Sequence, residues 1–415
     1  MNNLLKKRAE EFSSLIEEKA MDDVYIVRMM LDYETREIVT EKNNIPKILG
    51  SDIPGHIFMP YEDAGMTTGA YLAAQSLNYQ TTRSADALRR AKKAFSAVCY
   101  IYELGQNGRC EGFFPKPYGA QFSEHCSRDQ YLFVMSGLVE YYQIADEDER
   151  LQIKNMLEKM AQFWRDINYS PGFFSMKKTP QLYDYIAPVF LGIAGMPCRL
   201  SDNETCRKEV ARLLDEEHLR ENALGTLRER FRQGELYDGA QYYRQNENPL
   251  MMKSLAMHHL WEISEEYHDF CREVLQKSLY DDLFVELADD GLNYYIMKYK
   301  RETDSFSMTS AGRIDEIQNP LNLPFLSWGG ERRRAGSTQS IFAAIIIAAR
   351  LGRKDIAEKA KNVLEKLTID KFRGFTYPVQ SDIPPGSEYA SSVLSCNYMS
   401  FWLWDYYLGK KFNLW

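Results

Sequence analysis

The sequence predicts an all-α fold, an (α/α)6 toroid of helical hairpins with a small β-hairpin near the N-terminus. Three observations carry that prediction. Amphipathic helical segments alternate with segments that are apolar or small on every face. Short end motifs recur at a near-constant spacing. A sixth helix pair becomes available only if the two ends of the chain meet.

Residues 3–20 read as an amphipathic helix with charges throughout, which is not the pattern of a secretory leader. The run VYIVRMMLDYETREIV (24–39) predicts the β-hairpin, with its turn near Tyr33–Arg36. Residues 64–77 are apolar or small nearly all round, so that helix must be buried on all faces. The segment 84–104 is its opposite. Leu88, Ala91, Phe95, Val98 and Tyr102 form one stripe, with Ser84 as N-cap and Gly105 as stop. The same inner-then-outer order returns at 130–142 and 147–168, at roughly 180–215, at roughly 248–285, and at 337–350 and 353–368. A last inner-type helix, 387–408, lacks a following partner, and the helix at 3–20 supplies one by closing the ring. The motifs EGFF and PGFF place Gly112 and Gly172 60 residues apart, and RGFTY at Gly374-Phe375 closes a later pair. Asp63 and Asp129, which open consecutive inner helices, are 66 apart. A connector at 300–334 is too long for a plain turn, and its apolar and aromatic residues at 321–328 predict an ordered one. No domain boundary interrupts the pattern, so a single domain over 1–415 is expected.

The composition excludes several function classes. With 51 basic against 59 acidic residues the net charge is −8, and no basic block exceeds Arg332-Arg333-Arg334, which argues against general nucleic-acid binding. The longest strongly apolar run, 341–349, is too short to span a bilayer. Seven scattered cysteines form no CxxC and no Cys/His metal spacing, which fits reduced thiols in a cytoplasmic protein. No cofactor or metal motif is present, and nothing specifies an oligomeric state. Aromatic residues reach 13%, led by 27 tyrosines, a bias suited to sugar-binding grooves as well as to a large helical core.

In a ring of hairpins all inner helices run the same way, so their N-termini and entry loops share one rim. The candidates on that rim are Asp63 with Glu62; Glu124, His125, Arg128 and Asp129; Asp238, Gln241 and Tyr243; Arg332; and Glu388. The loops between add Phe114, Tyr118 and Trp328. Carboxylates, amides, arginines and aromatic rings converging on one concave face suit an oligosaccharide, whose hydroxyls take polar partners and whose apolar faces stack on rings. Each candidate also has a plainer role. Aspartate before an apolar helix most often only caps it. A loop histidine is more often structural than a proton shuttle, and Arg332–Arg334 in a turn is more often solvated than an anchor for a carboxylate.

The segments EDAGM (62–66) and SRDQYLFVMSGL (127–138) resemble the two aspartate-bearing inner-helix starts of the six-hairpin glycosidases, and of the unsaturated glucuronyl hydrolases among them. That resemblance implies Asp129 as proton donor and base with Asp63 as its partner. The Arg-Gly-x-x-Trp segment of those enzymes has only a loose counterpart here in SWGGERRR (327–334). The first expectation is therefore a glycoside hydrolase acting on an oligosaccharide, possibly one containing uronate, through a paired-aspartate mechanism. A lyase or epimerase using His125 or a tyrosine as base is the second, and a non-catalytic glycan- or peptide-binding repeat protein the third.

Overall fold

The computed structural model describes residues 2–43, 45, 53–170, 187–216, 218–220, 223–229, 247–281, 293–300, 305–311, 333–334, 337–376 and 391–415. The chain begins with α1 (Asn2–Leu15), then passes through β1 (Met30–Asp32) and α2 (Gly55–Glu62) into α3 (Ala64–Thr82). Helices then follow in pairs: α3 with α4 (Ala85–Gly108), α5 (Arg128–Tyr142) with α6 (Glu147–Asp166), and α7 (Ala187–Gly195) with α8 (Glu204–Asp215). After these come α9 (Glu247–Trp261) with α10 (His268–Asp281), α11 (Ser337–Leu351) with α12 (Lys354–Lys366), and finally α13 (Cys396–Lys411).

The ring closes as the sequence predicts. Each odd-numbered helix from α3 to α13 contacts the next, and α13 packs back on α3. The outer helices lie against their own partners, and α1 takes the outer position beside α13. Phe12 of α1 meets the Trp402 ring edge-on at 5.0 Å, and Gln75 of α3 donates to the Ser13 hydroxyl at 2.8 Å. Arg90 on α4, only 4% exposed, binds Glu10 at 2.7 Å and Glu17 at 2.9 Å and so ties the N-terminal segment to the next outer helix.

The inner helices approach closely because their contact positions lack side chains. A Cβ on Gly69 would lie 2.7 Å from the Phe133 carbonyl and from Val134 backbone atoms, and one on Gly137 would lie 2.5 Å from the Gly69 carbonyl oxygen. Gly65 meets Gln130 lower down, and Gln80 donates to the Glu140 carbonyl at 3.0 Å higher up. Pairs advancing together along both chains make α3 and α5 parallel, so their N-termini share one mouth.

Local signals explain most boundaries. Ser84 accepts from the Ala87 N–H as the cap of α4. The acidic stretch at 145–150 starts α6 with a reciprocal capping box between Asp146 and Glu149. Gly105 does not stop α4, which runs on to Gly108; a Cβ there would strike the Phe113 carbonyl, so the glycine admits the returning chain. Gly112, at φ +80°, passes against the Lys159 carbonyl of α6.

The β elements differ from expectation. The turn at Tyr33–Arg36 forms, closed by Asp32 N–H to the Glu37 carbonyl at 2.9 Å, yet the return arm makes no strand. β1 instead pairs with β8 (Ser391–Ser395), which pairs with β7 (Arg373–Thr376) to give an antiparallel sheet in the order β1-β8-β7. The helix expected over 387–408 therefore begins only at Cys396, capped by Ser395. A ladder was available to Ser391–Ser395 on both sides, and the β-branched Val393 suits it. Arg373–Thr376 of RGFTY thus enters a strand rather than a simple turn. Two further sheets form among the described residues: β2 (His218–Arg220) with β3 (Ala223–Gly225), and β4 (Asn293–Lys300) between β5 (Ser305–Ala311) and β6 (Arg333–Arg334). The predicted connector is thus partly a hairpin, and PGFF lies outside the described residues. No helix among the described residues is long and apolar enough to cross a membrane.

Candidate active site

Asp63 sits at the corner where α2 ends and α3 begins, with φ −111° and ψ 23°. Its carboxylate makes no capping bond to α3. Its carbonyl carries the helix start instead, accepting from the Thr67 N–H and hydroxyl at 2.8 Å each. The side chain stays 28% exposed. Asp129 is likewise not the cap of α5, because Ser127 holds that position and Asp129 lies in the first turn. One oxygen of Asp129 accepts from the Gln130 N–H at 3.0 Å, and the residue is partly exposed.

Behind the pair lies a buried polar cradle. The Lys116 ammonium, 2% exposed, donates to the Glu62 carbonyl at 2.8 Å, contacts the Glu62 carboxylate, and reaches Asp63 Oδ1 at 3.5 Å. Glu62 also accepts from the Tyr118 hydroxyl at 2.6 Å, and its carbonyl takes a second donor, Gln130 Nε2, at 2.8 Å. The loop supplying Lys116 is pinned on itself. The Lys116 N–H donates to the His125 carbonyl at 2.7 Å, and the Ser123 hydroxyl donates to the Lys116 carbonyl at 2.7 Å.

These contacts set the charges. Burial raises the Asp63 carboxyl, and the negative charges of Asp129 and Glu62 add to this against the pull of Lys116, leaving it pushed up to about 7. Burial pulls Lys116 down, but Glu62, Asp63 and Asp129 together hold it above the usual lysine range and so cationic. Burial lowers the half-buried His125 and keeps its ring neutral, with Lys116 adding to this and Glu62 and Glu124 opposing.

The other sequence candidates fall in different places. Glu124 is exposed, and Arg128 is partly exposed at the first position of α5. Tyr118 is buried, stacked on Phe58 at 4.2 Å with its hydroxyl committed to Glu62. Phe114 is fully buried edge-on to Tyr131, so it backs the site rather than lining an open groove. Asp238, Gln241, Tyr243, Trp328, Arg332 and Glu388 lie outside the described residues. Lys116 and Gln130 were missed. The signal available for Lys116 was a lone lysine between Pro115 and Pro117 after two buried phenylalanines. Among the described residues, no group of three or more His, Cys, Asp or Glu is arranged to hold a metal ion.

No family profile matches the sequence, and no curated protein matches it. Solved structures do match. An unsaturated glucuronyl hydrolase variant with the oligosaccharide dGlcA-Glc-Rha-Glc is 12% identical with a TM-score of 0.53, over 99% of this chain and 97% of that one. That likeness shows the fold, an (α/α)6 toroid. The cellobiose 2-epimerase of Bacillus thermoamylovorans is also similar, at 11% identity and TM-score 0.51 over 98% and 97% of the two chains. A polysaccharide lyase matches at 13% identity and TM-score 0.52 over 97% of this toroid, which spans about half (52%) of that chain.

Proposed function

We propose that this toroid is a carbohydrate-active enzyme, a single catalytic domain that hydrolyses glycosidic bonds with Asp63 and Asp129 as its carboxylate pair. The observation that carries the reading is the placement of Asp63 and Asp129 at the starts of the parallel helices α3 and α5. Both are partly exposed at the common mouth and neither acts as the side-chain cap, with burial raising the Asp63 carboxyl to about 7. Two carboxyls holding one proton between them are the minimum for the reaction. The protonated member donates to the departing oxygen. The ionised member takes a proton from water, whose oxygen then bonds to the sugar carbon as the leaving bond breaks. In the free protein the burial around Asp63 favours it as the proton holder, whereas the resemblance to glucuronyl hydrolases assigns donation to Asp129. An oligosaccharide fits the mouth, with His125, Arg128 and Glu124 as the nearest polar contacts, and a uronate fits beside Arg128. The free thiols suit a cytoplasmic setting.

Asp63→Asn and Asp129→Asn should each lower turnover about 100-fold or more on a panel of neutral and unsaturated-uronyl oligosaccharides, with circular dichroism unchanged. Full activity in either variant refutes the pair. One observation favours a second reading. His125 is kept neutral beside the site and is therefore a competent base for proton abstraction, as a lyase or epimerase needs. Ultraviolet absorbance separates the two: a lyase creates a conjugated uronate double bond, and an unsaturated-uronyl hydrolase consumes one.

A further inference from the structure

The same site holds a charge that the paired-aspartate reading leaves unused. We propose that Lys116 is a positioning residue for Asp63, its single buried ammonium divided between Glu62 and Asp63 so that Glu62 governs how much of that charge Asp63 receives. The inference deepens the hydrolase reading, because it matters for catalysis only if Asp63 acts there.

The geometry requires the sharing. Pro115 and Pro117 flank the lysine, and its backbone is fixed from both sides by His125 and Ser123, so the side chain enters the protein along one path. At the end of that path the ammonium contacts both oxygen types of Glu62 and stands 3.5 Å from Asp63. Three carboxylates face it: Glu62 from α2, Asp63 at the corner, and Asp129 from α5. On the loop, burial lowers the half-buried His125 and keeps it neutral, and burial raises the Cys126 thiol and the Tyr118 hydroxyl, so they too stay neutral. One positive charge cannot neutralise three negative ones, and the Tyr118 hydroxyl steadies Glu62 as the preferred partner at 2.6 Å. Asp63 is left with the weaker share and keeps its proton.

Two substitutions then act in opposite directions. Lys116→Met removes the cation that pulls Asp63 down and should raise its titration midpoint by about one unit or more. Glu62→Gln, nearly isosteric, frees Lys116 for Asp63 and removes a like charge, so the midpoint should fall by about one unit or more. Lys116→Arg keeps the charge and should stay closest to wild type. The readout is the carboxyl carbon resonance of labelled aspartate in the full chain, with Asp63 identified by the peak lost in Asp63→Asn. Opposite shifts support the proposal. Unchanged midpoints, or shifts in the same direction, overturn it, since a purely structural lysine would lower stability without moving Asp63 in a signed way. If Lys116→Met fails to fold, the downward shift in Glu62→Gln decides alone. The titration needs no substrate. Retained glycan turnover in Asp63→Asn would therefore refute the hydrolase reading while leaving this assignment untouched.

Discussion

Replacing Asp405 with asparagine should stabilise the protein, and the gain should grow with pH. Asp405 lies on inner helix α13 with no exposed surface, and neither carboxyl oxygen has a hydrogen-bonding partner among the described residues. Burial alone raises its carboxyl well above the usual range, with no cation among the described residues offsetting it. The native state therefore holds Asp405 protonated, while the unfolded chain ionises it above a pKa near 3.8. A group whose folded pKa is raised favours the fold fully only below its unfolded pKa, and ionisation of the unfolded chain erodes stability as pH rises from there towards the folded value. Each unit above 3.8 costs about 1.4 kcal/mol, so between about pH 4.5 and 6.5 the difference amounts to about 2.7 kcal/mol. Asparagine cannot ionise in either state and escapes that slope, although its amide still needs partners. Urea unfolding of wild type and Asp405→Asn across this range should give a stability difference that rises in favour of the variant by about this amount. A pH-independent difference would show that Asp405 is ionised in the fold, and the reasoning would fail.

Three further expectations follow from the same geometry. Gly137→Ala sets a methyl 2.5 Å from the Gly69 carbonyl, so α3 and α5 must part; urea unfolding should show a loss of about 1–3 kcal/mol, and turnover should fall with it. Lys411→Met leaves Glu140, whose side chain is 4% exposed, without the ammonium that pairs with it at 2.8 Å; the cost should reach about 3–5 kcal/mol in chemical denaturation. Burial lowers His258 and His259 well below their ordinary value, with Arg350 and Arg199 the next causes respectively, so their neutral forms support the fold above about pH 6.5 and that support is lost as pH falls. Asp63 and Asp405 slope the other way in that window, so the acid loss should emerge clearly in Asp405→Asn and be partly masked in wild type.

The ring was legible because its periodicities are physical necessities. A helix such as 64–77 with no polar face has nowhere to go but inside, and Gly69 and Gly137 mark where two such helices touch. Asp63 and Asp129 were legible for the same reason, as carboxylates at inner-helix starts. Lys116 was not, because a lysine is ordinarily a surface residue and its burial depends on Glu62, which lies 54 residues earlier in the chain. The start of α13 was misplaced because Ser391–Ser395 takes a ladder with β1, whose partner lies at the opposite end of the chain. The strand β4 was passed over although NYYIMKYK is rich in β-favouring residues, because its ladder partners follow a gap the eye reads as a connector.

The two mouths of the ring carry opposite electrostatics. At the C-terminal ends of the inner helices the aligned peptide dipoles are negative, and cations gather there. Arg199 donates to His259 at 2.6 Å, Arg350 donates to His258 at 2.7 Å and pairs with Glu262, and Lys411 pairs with Glu140. His259 meets the Ser136 hydroxyl at 2.7 Å, and that hydroxyl donates to the Leu132 carbonyl, so this imidazole donates from Nε2 and accepts at Nδ1. That end is a locked base in which each charge has an answer. At the N-terminal mouth the dipoles are positive and should depress nearby carboxylates. Asp63 moves the other way. Burial together with the charges of Asp129 and Glu62 outweighs the share of Lys116 that reaches it. A carboxyl raised by burial costs stability as pH rises above its unfolded value, and bonds to the helix N–H groups would have offset part of that cost. Neither the Asp63 nor the Ser127 side chain caps its helix; their carbonyls accept from the Thr67 and Tyr131 N–H groups. The Asp129 carboxylate accepts from the Gln130 N–H, whereas the Asp63 carboxylate takes no helix N–H.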